Sequence, residues 1–183
     1  MVMSGPTFEE FVLADPEGRN WELHDGRLHE KPSLSAEHND AMTYFAVQIM
    51  NQLDRSEFRA RVNAGYLTWW DTTYLIPDCA VLSTDAEQTQ RRGPDWLERY
   101  AGPLPLVVEI WSPLDQGLAF DQKLSVYQRR GDREIMCLDP FEGILNAWRR
   151  LSDGKYDVGS QRGGTVQPIA LPNVTINLDA LFA

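Results

Sequence analysis

LPLVVEIW, residues 104–111, is the most apolar stretch of the chain and predicts a buried β-strand. Its apolarity is continuous rather than alternating, which indicates that both faces of the strand are covered. Ser112-Pro113 ends the stretch. A strand covered on both faces belongs in the middle of a sheet that has helices on each side.

Toward the C-terminus, a helix is predicted from about residue 118 to Arg130, ending at Gly131 as a C-terminal cap. Residues 134–138 form another buried strand candidate. Beyond them the pattern predicts four further strands and a terminal helical turn, at residues 145–150, 155–158, 165–169, 174–178 and 178–182.

Toward the N-terminus, Thr7-Phe8-Glu9-Glu10 has the pattern of a capping box and predicts a short helix. Asp25-Gly26 predicts a tight turn between two hairpin strands, and Ser35 begins a long helix with apolar residues at helical spacing. The remaining predictions are hairpin strands at 21–24 and 27–31, strands at 60–66 and 74–82, a polar loop at 83–93 and a short helix at 94–100.

These elements predict one domain, residues 1–183, with an α/β or α+β architecture: a mixed β-sheet flanked by helices and followed by additional C-terminal strands. Hydrophobic residues make up 43% of the chain, which is typical of a globular protein. No apolar run approaches the length of a membrane span, and the first ten residues lack the features of a signal peptide. We therefore expect a cytoplasmic protein without membrane contact, with Cys79 and Cys137 as buried reduced thiols.

Two carboxylates stand out by their surroundings. Glu109 lies inside the apolar stretch, where an ionised side chain is costly unless it is paired or binds a metal. Asp78 follows Ile76-Pro77 and precedes another apolar strand, a position that by itself is equally typical of a turn. Together they predict an oxygen-rich pocket between neighbouring strands, which suits a hard cation such as Mg²⁺ or Mn²⁺. The alternative for Glu109 is the exposed face of an edge strand.

Lys123 lies on the helix that follows the Glu109 strand, and Tyr127 shares its helix face four residues later. A lysine there could reach back toward the carboxylates and orient a water or offset phosphate charge. The alternatives are a solvated surface lysine and a tyrosine that only packs.

The chain as a whole resembles the Uma-type family of endonucleases within the PD-(D/E)xK restriction-endonuclease-like superfamily. The matching segments extend over nearly the entire length. They are residues 7–11, 21–26, 33–38, Pro77-Asp78, 105–113, 121–123 with Tyr127, Gly131, 138–140, Leu171-Pro172 and Leu181-Phe182.

This resemblance implies a restriction-endonuclease-like fold in which Asp78 and Glu109 hold Mg²⁺ and a metal-activated water hydrolyses a phosphodiester bond. The superfamily pattern has lysine two positions after the glutamate, where this sequence has Trp111; the matching lysine of the Uma-type pattern is Lys123. Glu22 matches an early acidic position that can add a third metal carboxylate, against the alternative of a hairpin surface residue. His38 matches a family position as a possible accessory residue, against that of a surface histidine.

The net charge of −10 disfavours nucleic acid as a partner, because an acidic protein gains nothing from long-range attraction to phosphates. Three arginine pairs, at 91–92, 129–130 and 149–150, are expected to be solvated surface. Two alternatives to an endonuclease therefore stay open: a nuclease-fold protein that binds or regulates without catalysis, and a metal-dependent hydrolase of a small phosphate. Trp69, Trp70 and Trp96 are candidates either for the core or for a homodimer interface.

Overall fold

The computed structural model describes residues 2–31, 35–90, 93–113 and 119–183. Within these ranges the helices are α1 (Gly5–Ala14), α2 (Ala36–Met50), α3 (Thr84–Gln88), α4 (Phe120–Arg130) and α5 (Leu178–Leu181), with a 3₁₀ turn at Trp70–Thr72. The strands are β1 (Trp21–His24), β2 (Arg27–Glu30), β3 (Phe58–Val62), β4 (Tyr66–Trp69), β5 (Thr73–Leu75), β6 (Cys79–Ser83), β7 (Arg99–Tyr100), β8 (Leu106–Ile110), β9 (Glu134–Asp139), β10 (Ile144–Arg150), β11 (Tyr156–Gln161), β12 (Thr165–Val166) and β13 (Ile176–Asn177).

The described strands form three sheets. One has the order β2-β1-β5-β4-β7, the second has the order β11-β10-β9-β8-β6-β3, and β12 pairs with β13. Both large sheets are mixed, because β4 pairs with β7 and β8 with β9 in parallel while the other pairs are antiparallel. The predicted fold class, a mixed β-sheet flanked by helices with additional C-terminal strands, is confirmed, and the strands are divided between two large sheets rather than forming one.

Strand β8 lies inside the six-stranded sheet, as its continuous apolarity predicts. Val108 is opposite Cys79 on β6 and Met136 on β9, and all five residues of β8 are buried. One face of the strand belongs to a core cluster with Phe45 of α2, and the other to a cluster with Tyr127 of α4. Each fully buried aliphatic side chain of this kind contributes roughly 1.5–3 kcal/mol to stability.

Helix α4 ends as its sequence predicts. Gly131 has a φ of 79°, in the left-handed region that favours glycine, and its N–H bonds to carbonyls of the last helical turn. The helix begins at Phe120. Its predicted start, residue 118, lies outside the described residues. The same is true of residues 33 and 34, the first two of the matching segment 33–38.

Two predicted strands are each interrupted, and the interruptions place the chain in different sheets. The strand predicted at 60–66 breaks between β3 and β4, where Asn63 and Gly65 have φ values of 46° and 78°. The strand predicted at 74–82 breaks into β5 and β6 at Ile76–Asp78. Each break moves the chain from one large sheet to the other, so apolar periodicity alone could not reveal it.

The predictions for residues 83–100 were wrong. The expected loop contains α3, whose N-cap Ser83 accepts a hydrogen bond from the N–H of Ala86. The expected helix at 94–100 does not form; Arg99–Tyr100 is strand β7, and the N–H of Tyr66 donates to the carbonyl of Glu98 at 2.8 Å. Tertiary pairing with β4 thus overrides the helix signal of Pro94.

Several terminal boundaries also differ from the predictions. Helix α1 starts at Gly5 with Ser4 as the N-cap residue, so Thr7 does not cap it. Strand β11 extends to Gln161, whereas β12 and β13 have two residues each, because residues 167–175 leave the regular strand geometry in turns.

A buried ion pair joins the two large sheets. Arg130 Nε donates to Asp132 Oδ2 at 3.0 Å with both side chains fully buried, and its other nitrogens donate to the carbonyls of Thr68, Tyr100 and Gly102. The expectation that this arginine is solvated was therefore wrong. Arg149 pairs with the buried Glu134 at 2.8 Å, and Arg91–Arg92 lies outside the described residues.

Cys79 and Cys137 are buried and free, as expected, and burial raises the pKa of Cys79 to about 12. No helix in the described ranges combines the length and apolarity that crossing a membrane requires. Trp70 is 77% exposed and Trp96 46% exposed, whereas Trp69 packs partly against the core. The two exposed rings are compatible with the predicted homodimer, which stays a prediction.

Candidate active site

Asp78 lies at the junction between the two large sheets. It directly precedes β6, one residue beyond the pair Cys79–Val108, so the antiparallel register places it beside Glu109 on β8. The side chain is almost fully buried, and the N–H of Ile110 donates to its Oδ2 at 2.7 Å. The two carboxylates predicted to form a common pocket are thus neighbours across the β6–β8 pair, with Asp78 just before β6 and Glu109 on β8.

The charge of Asp78 is compensated in the protein interior. Burial raises the pKa of its carboxyl, but the ammonium of Lys31, the hydrogen bond from His38 and the charge of Lys123 outweigh burial and hold the pKa well below its usual range. The side chain is therefore a carboxylate at neutral pH.

Glu109 occupies β8 with 6% of its surface exposed, so the edge-strand alternative was wrong. Its Oε1 accepts a hydrogen bond from the hydroxyl of Tyr127 at 2.5 Å and lies 3.5 Å from Lys123 Nζ. Burial raises the pKa of Glu109 to about 7, with Lys123 opposing the rise and Asp78 adding to it. Tyr127 therefore fixes the carboxyl group in addition to packing.

Lys123 reaches the carboxylates from α4, as the sequence suggested. Its Nζ donates to Glu22 Oε1 at 3.0 Å, and the residue is 4% exposed, so it is not a surface lysine. Burial would lower the pKa of this ammonium, but Glu109 and Glu22 raise it above its ordinary value. Its ammonium thus lies between Glu22 and Glu109, at 3.0 and 3.5 Å from their Oε1 atoms.

Asp78, Glu109 and Lys123 form a buried cluster of charged side chains. Glu22 also belongs to this cluster and is not a hairpin surface residue. It lies on β1 with 1% of its surface exposed, and its Oε1 accepts from both Lys123 and the N–H of Ile76 at 2.7 Å. In this arrangement Glu22 positions Lys123 on one side and the chain that leads to Asp78 on the other.

His38 is also buried, in the first turn of α2, so the surface alternative was wrong. Its Nε2 lies 3.1 Å from Asp78 Oδ2, and the hydrogen bond from its backbone N–H to Ser35 Oγ at 3.3 Å caps the helix. Among the described residues its Nδ1 has no hydrogen-bond partner. The neutral tautomer with hydrogen on Nε2 satisfies Asp78 and leaves only an acceptor unpaired.

Lys31 is a member of the cluster that the sequence analysis missed. It directly follows β2, and its Nζ lies 2.8 Å from Asp78 Oδ1 with a side chain only 6% exposed. A usable signal was present: the chain has only three lysines against fourteen arginines, and Lys31 and Lys123 are two of them. The third lysine, Lys155, has an 82% exposed side chain, so the scarcity of lysine narrows the candidates without identifying Lys31.

A small cleft gives access to one side of the cluster. It has a volume of about 250 Å³, and Glu109 and Lys123 line it together with residues 110–113, Ala119, Phe120 and Cys137. Trp111 is 41% exposed at this cleft and packs edge-on against Phe141 at 5.9 Å. The cleft thus reaches a carboxylate and an ammonium whose partners are buried behind them.

A larger cleft of about 820 Å³ runs along β4 and β7, with Trp69, Trp70 and Trp96 in its wall. None of the six predicted site residues lines it. The smaller cleft is therefore the better candidate for chemistry, because buried ionisable groups converge there and not in the larger one.

The cluster carries more acidic than basic groups. Glu22, Asp78 and Glu109 carry three formal negative charges, and Lys31 and Lys123 carry two positive ones, all of them nearly buried. Within the described ranges, no three His, Cys, Asp or Glu side chains form a ready metal cage. Mg²⁺ is commonly held by one or two carboxylates, with waters and substrate phosphate as its other ligands, so Asp78 and Glu109 are a suitable donor set.

The fold has a close counterpart among solved structures. A crystal structure described as that of "a putative nuclease belonging to DUF820" from Anabaena variabilis ATCC 29413 superposes with a TM-score of 0.76 and covers 98% of this chain and 97% of its own, at 17% sequence identity. At this low identity, the superposition shows a common fold alone. No curated protein matches the chain. The family model described as "Uma2: Putative restriction endonuclease" matches residues 7–179, and the protein therefore belongs to this family.

Proposed function

We propose that the protein is a metal-dependent endonuclease that hydrolyses phosphodiester bonds of nucleic acid. The observation that carries this proposal is the convergence of Asp78, Glu109 and Lys123 from three different elements on one buried cluster beside a cleft. Membership of the Uma2 family supports the same reaction class.

Asp78 and Glu109 would hold Mg²⁺ or Mn²⁺, because their carboxylates are neighbours across the β6–β8 pair. A divalent ion in such a site supplies a water of lowered pKa and offsets charge that develops on a phosphate. Glu22 was expected as a third ligand. Its hydrogen bonds to Lys123 and Ile76 favour a positioning role instead.

Lys123 would contact the scissile phosphate or orient the attacking water. Among the described residues its ammonium contacts carboxylate oxygens of Glu22 and Glu109, at 3.0 and 3.5 Å, which leaves hydrogen-bonding capacity toward the cleft. Tyr127 would hold Glu109 in place through one hydrogen bond, and His38 would hold Asp78 in the same way. These roles assign every buried polar side chain of the cluster except Lys31.

One assay separates this proposal from its two alternatives, a nuclease-fold protein that binds or regulates without catalysis and a metal-dependent hydrolase of a small phosphate. We expect the purified protein to cleave at least one of duplex DNA, single-stranded DNA and RNA with Mg²⁺ or Mn²⁺, and none of them in EDTA, because the carboxylates need the cation to bring phosphate and water together. The measurement is product formation on gels, with bis(p-nitrophenyl) phosphate as the small-substrate comparison.

Two outcomes would contradict the proposal. Hydrolysis of the small ester alone, with every nucleic acid intact, would favour a small-phosphate hydrolase. No cleavage of any substrate would favour an inactive binding or regulatory protein with the nuclease fold, and the absence of Mg²⁺ or Mn²⁺ stabilisation in a thermal shift would show that its metal site is lost.

A further inference from the structure

The ammonium group of Lys31 is fully engaged within the protein. Its Nζ donates to Asp78 Oδ1 at 2.8 Å, to the carbonyl of Ile76 at 2.9 Å and to Asn63 Oδ1 at 2.9 Å. A lysine ammonium has three hydrogens and no acceptor, so all its donors are used. Lys31 therefore has no N–H left for a substrate phosphate, which distinguishes it from Lys123.

The three acceptors come from separate parts of the fold. Asn63 lies in the turn between β3 and β4, and its N–H also donates to the carbonyl of Asp78 at 2.8 Å. Ile76 lies on the connection that leads from β5 to Asp78. Lys31 itself extends the β1–β2 hairpin through a hydrogen bond from its N–H to the carbonyl of Asn20 at 2.8 Å. The ammonium is thus built into the junction that carries Asp78.

The hydrogen bonds of Asp78 restrict where a cation can bind to it. A carboxylate offers about four lone-pair sites. Oδ2 accepts from Ile110 N–H and from His38, and Oδ1 accepts from Lys31. Contacts within the described ranges thus leave one lone pair, on Oδ1, the atom that Lys31 holds, so a cation at Asp78 either shares this atom with an ammonium or displaces a partner.

The formal charges also disfavour a divalent ion that binds before the substrate. With Lys31 present and all three acids counted as carboxylates, the five buried groups sum to one negative charge, and a divalent ion alone would leave the site positive until a phosphodiester joined it. Without Lys31, the same groups would carry two negative charges, which one divalent ion neutralises. Lys31 therefore opposes a cation that arrives without substrate.

We propose that Lys31 is a positioning residue that holds Asp78 in the cation-free protein and keeps the affinity of the site for a free divalent ion low. This inference rests on the proposed metal-dependent function of Asp78 and Glu109. Lys31 acts as a resident cation, and the divalent ion competes with it for Asp78.

The test is calorimetric titration of the full chain with Mn²⁺ in the absence of nucleic acid. Lys31→Met keeps the length of the side chain and removes its charge, and we expect Mn²⁺ binding to tighten by about tenfold, because a repelling charge next to the ligand is lost. Lys31→Arg, which keeps the charge, should stay close to the wild type. A purely structural role for Lys31 predicts the opposite sign, since a loosened Asp78 would bind the ion more weakly.

Two further variants serve as controls. Lys155→Met makes the same change in net charge at a side chain that is 82% exposed, and it should leave the affinity unchanged. Lys31→Gln retains an amide donor for Asp78 and repeats the comparison if circular dichroism shows that Lys31→Met is unfolded.

Unchanged or weaker Mn²⁺ binding in a folded Lys31→Met or Lys31→Gln protein would overturn the inference while leaving the nuclease proposal intact. An equal gain in Lys155→Met would overturn it too, since a general charge effect would then suffice. If neither the wild type nor any variant binds Mn²⁺ saturably, the metal site itself fails and the inference fails with it.

Discussion

Glu109→Gln should reduce Mg²⁺-dependent cleavage by on the order of a thousandfold while the protein stays folded. The amide keeps the shape of the side chain but is a poorer ligand for a hard cation than a carboxylate. Stability should change little, because burial already raises the pKa of Glu109 to about 7 and a neutral side chain suits this position. Initial cleavage rates and the midpoint of chemical denaturation provide the two readouts.

Asp78→Asn should cause an equally large loss of cleavage but with a loss of stability, because it leaves the buried ammonium of Lys31 without its counter-ion. Glu142→Gln is the matched control, since that carboxylate lies on the surface in an exposed pair with Arg162. Cleavage at the wild-type rate by either site variant would refute the assignment of that carboxylate.

Lys123→Met should lower the cleavage rate by about a hundredfold or more without abolishing Mn²⁺ binding. The ammonium is the positive group of the cluster that lines the small cleft, so its loss removes charge compensation at the phosphate rather than a metal ligand. Cleavage kinetics together with calorimetric Mn²⁺ titration separate these effects.

The same substitution leaves Glu22 and Glu109 without their shared cation, so some stability should be lost as well. Lys123→Arg keeps the charge with a different hydrogen-bonding geometry and controls for stability. A Lys123→Met protein that cleaves normally, or one that has lost Mn²⁺ binding, would show that Lys123 does not have the proposed role.

The sequence predicted the parts of the fold in which local and tertiary preferences agree. The strand at Glu109 and the helix ending at Gly131 are such cases, since continuous apolarity and a left-handed glycine are local signals of the final structure. The two-residue strand at Arg99–Tyr100 is the opposite case. It exists through pairing with β4, and the local sequence around Pro94 favours a helix instead.

The site was partly predictable, because some of its residues have a distinctive local sequence and others do not. Glu109 is conspicuous because its sequence neighbours are apolar, but Lys31 has an ordinary polar context at the end of a hairpin. Its bond to Asp78 spans 47 residues, and the bond from Lys123 to Glu22 spans 101. Contacts of this kind depend on how the two large sheets meet, which no periodicity in the sequence encodes.

Asp78 and Glu109 are proposed to bind one divalent ion together, and anomalous diffraction from a crystal soaked in Mn²⁺ would locate that ion. We expect a single strong peak between the two side chains, at roughly 2.0–2.3 Å from one carboxylate oxygen of each. A Mn²⁺ peak elsewhere, with none between these carboxylates at a saturating Mn²⁺ concentration, would refute the shared metal site.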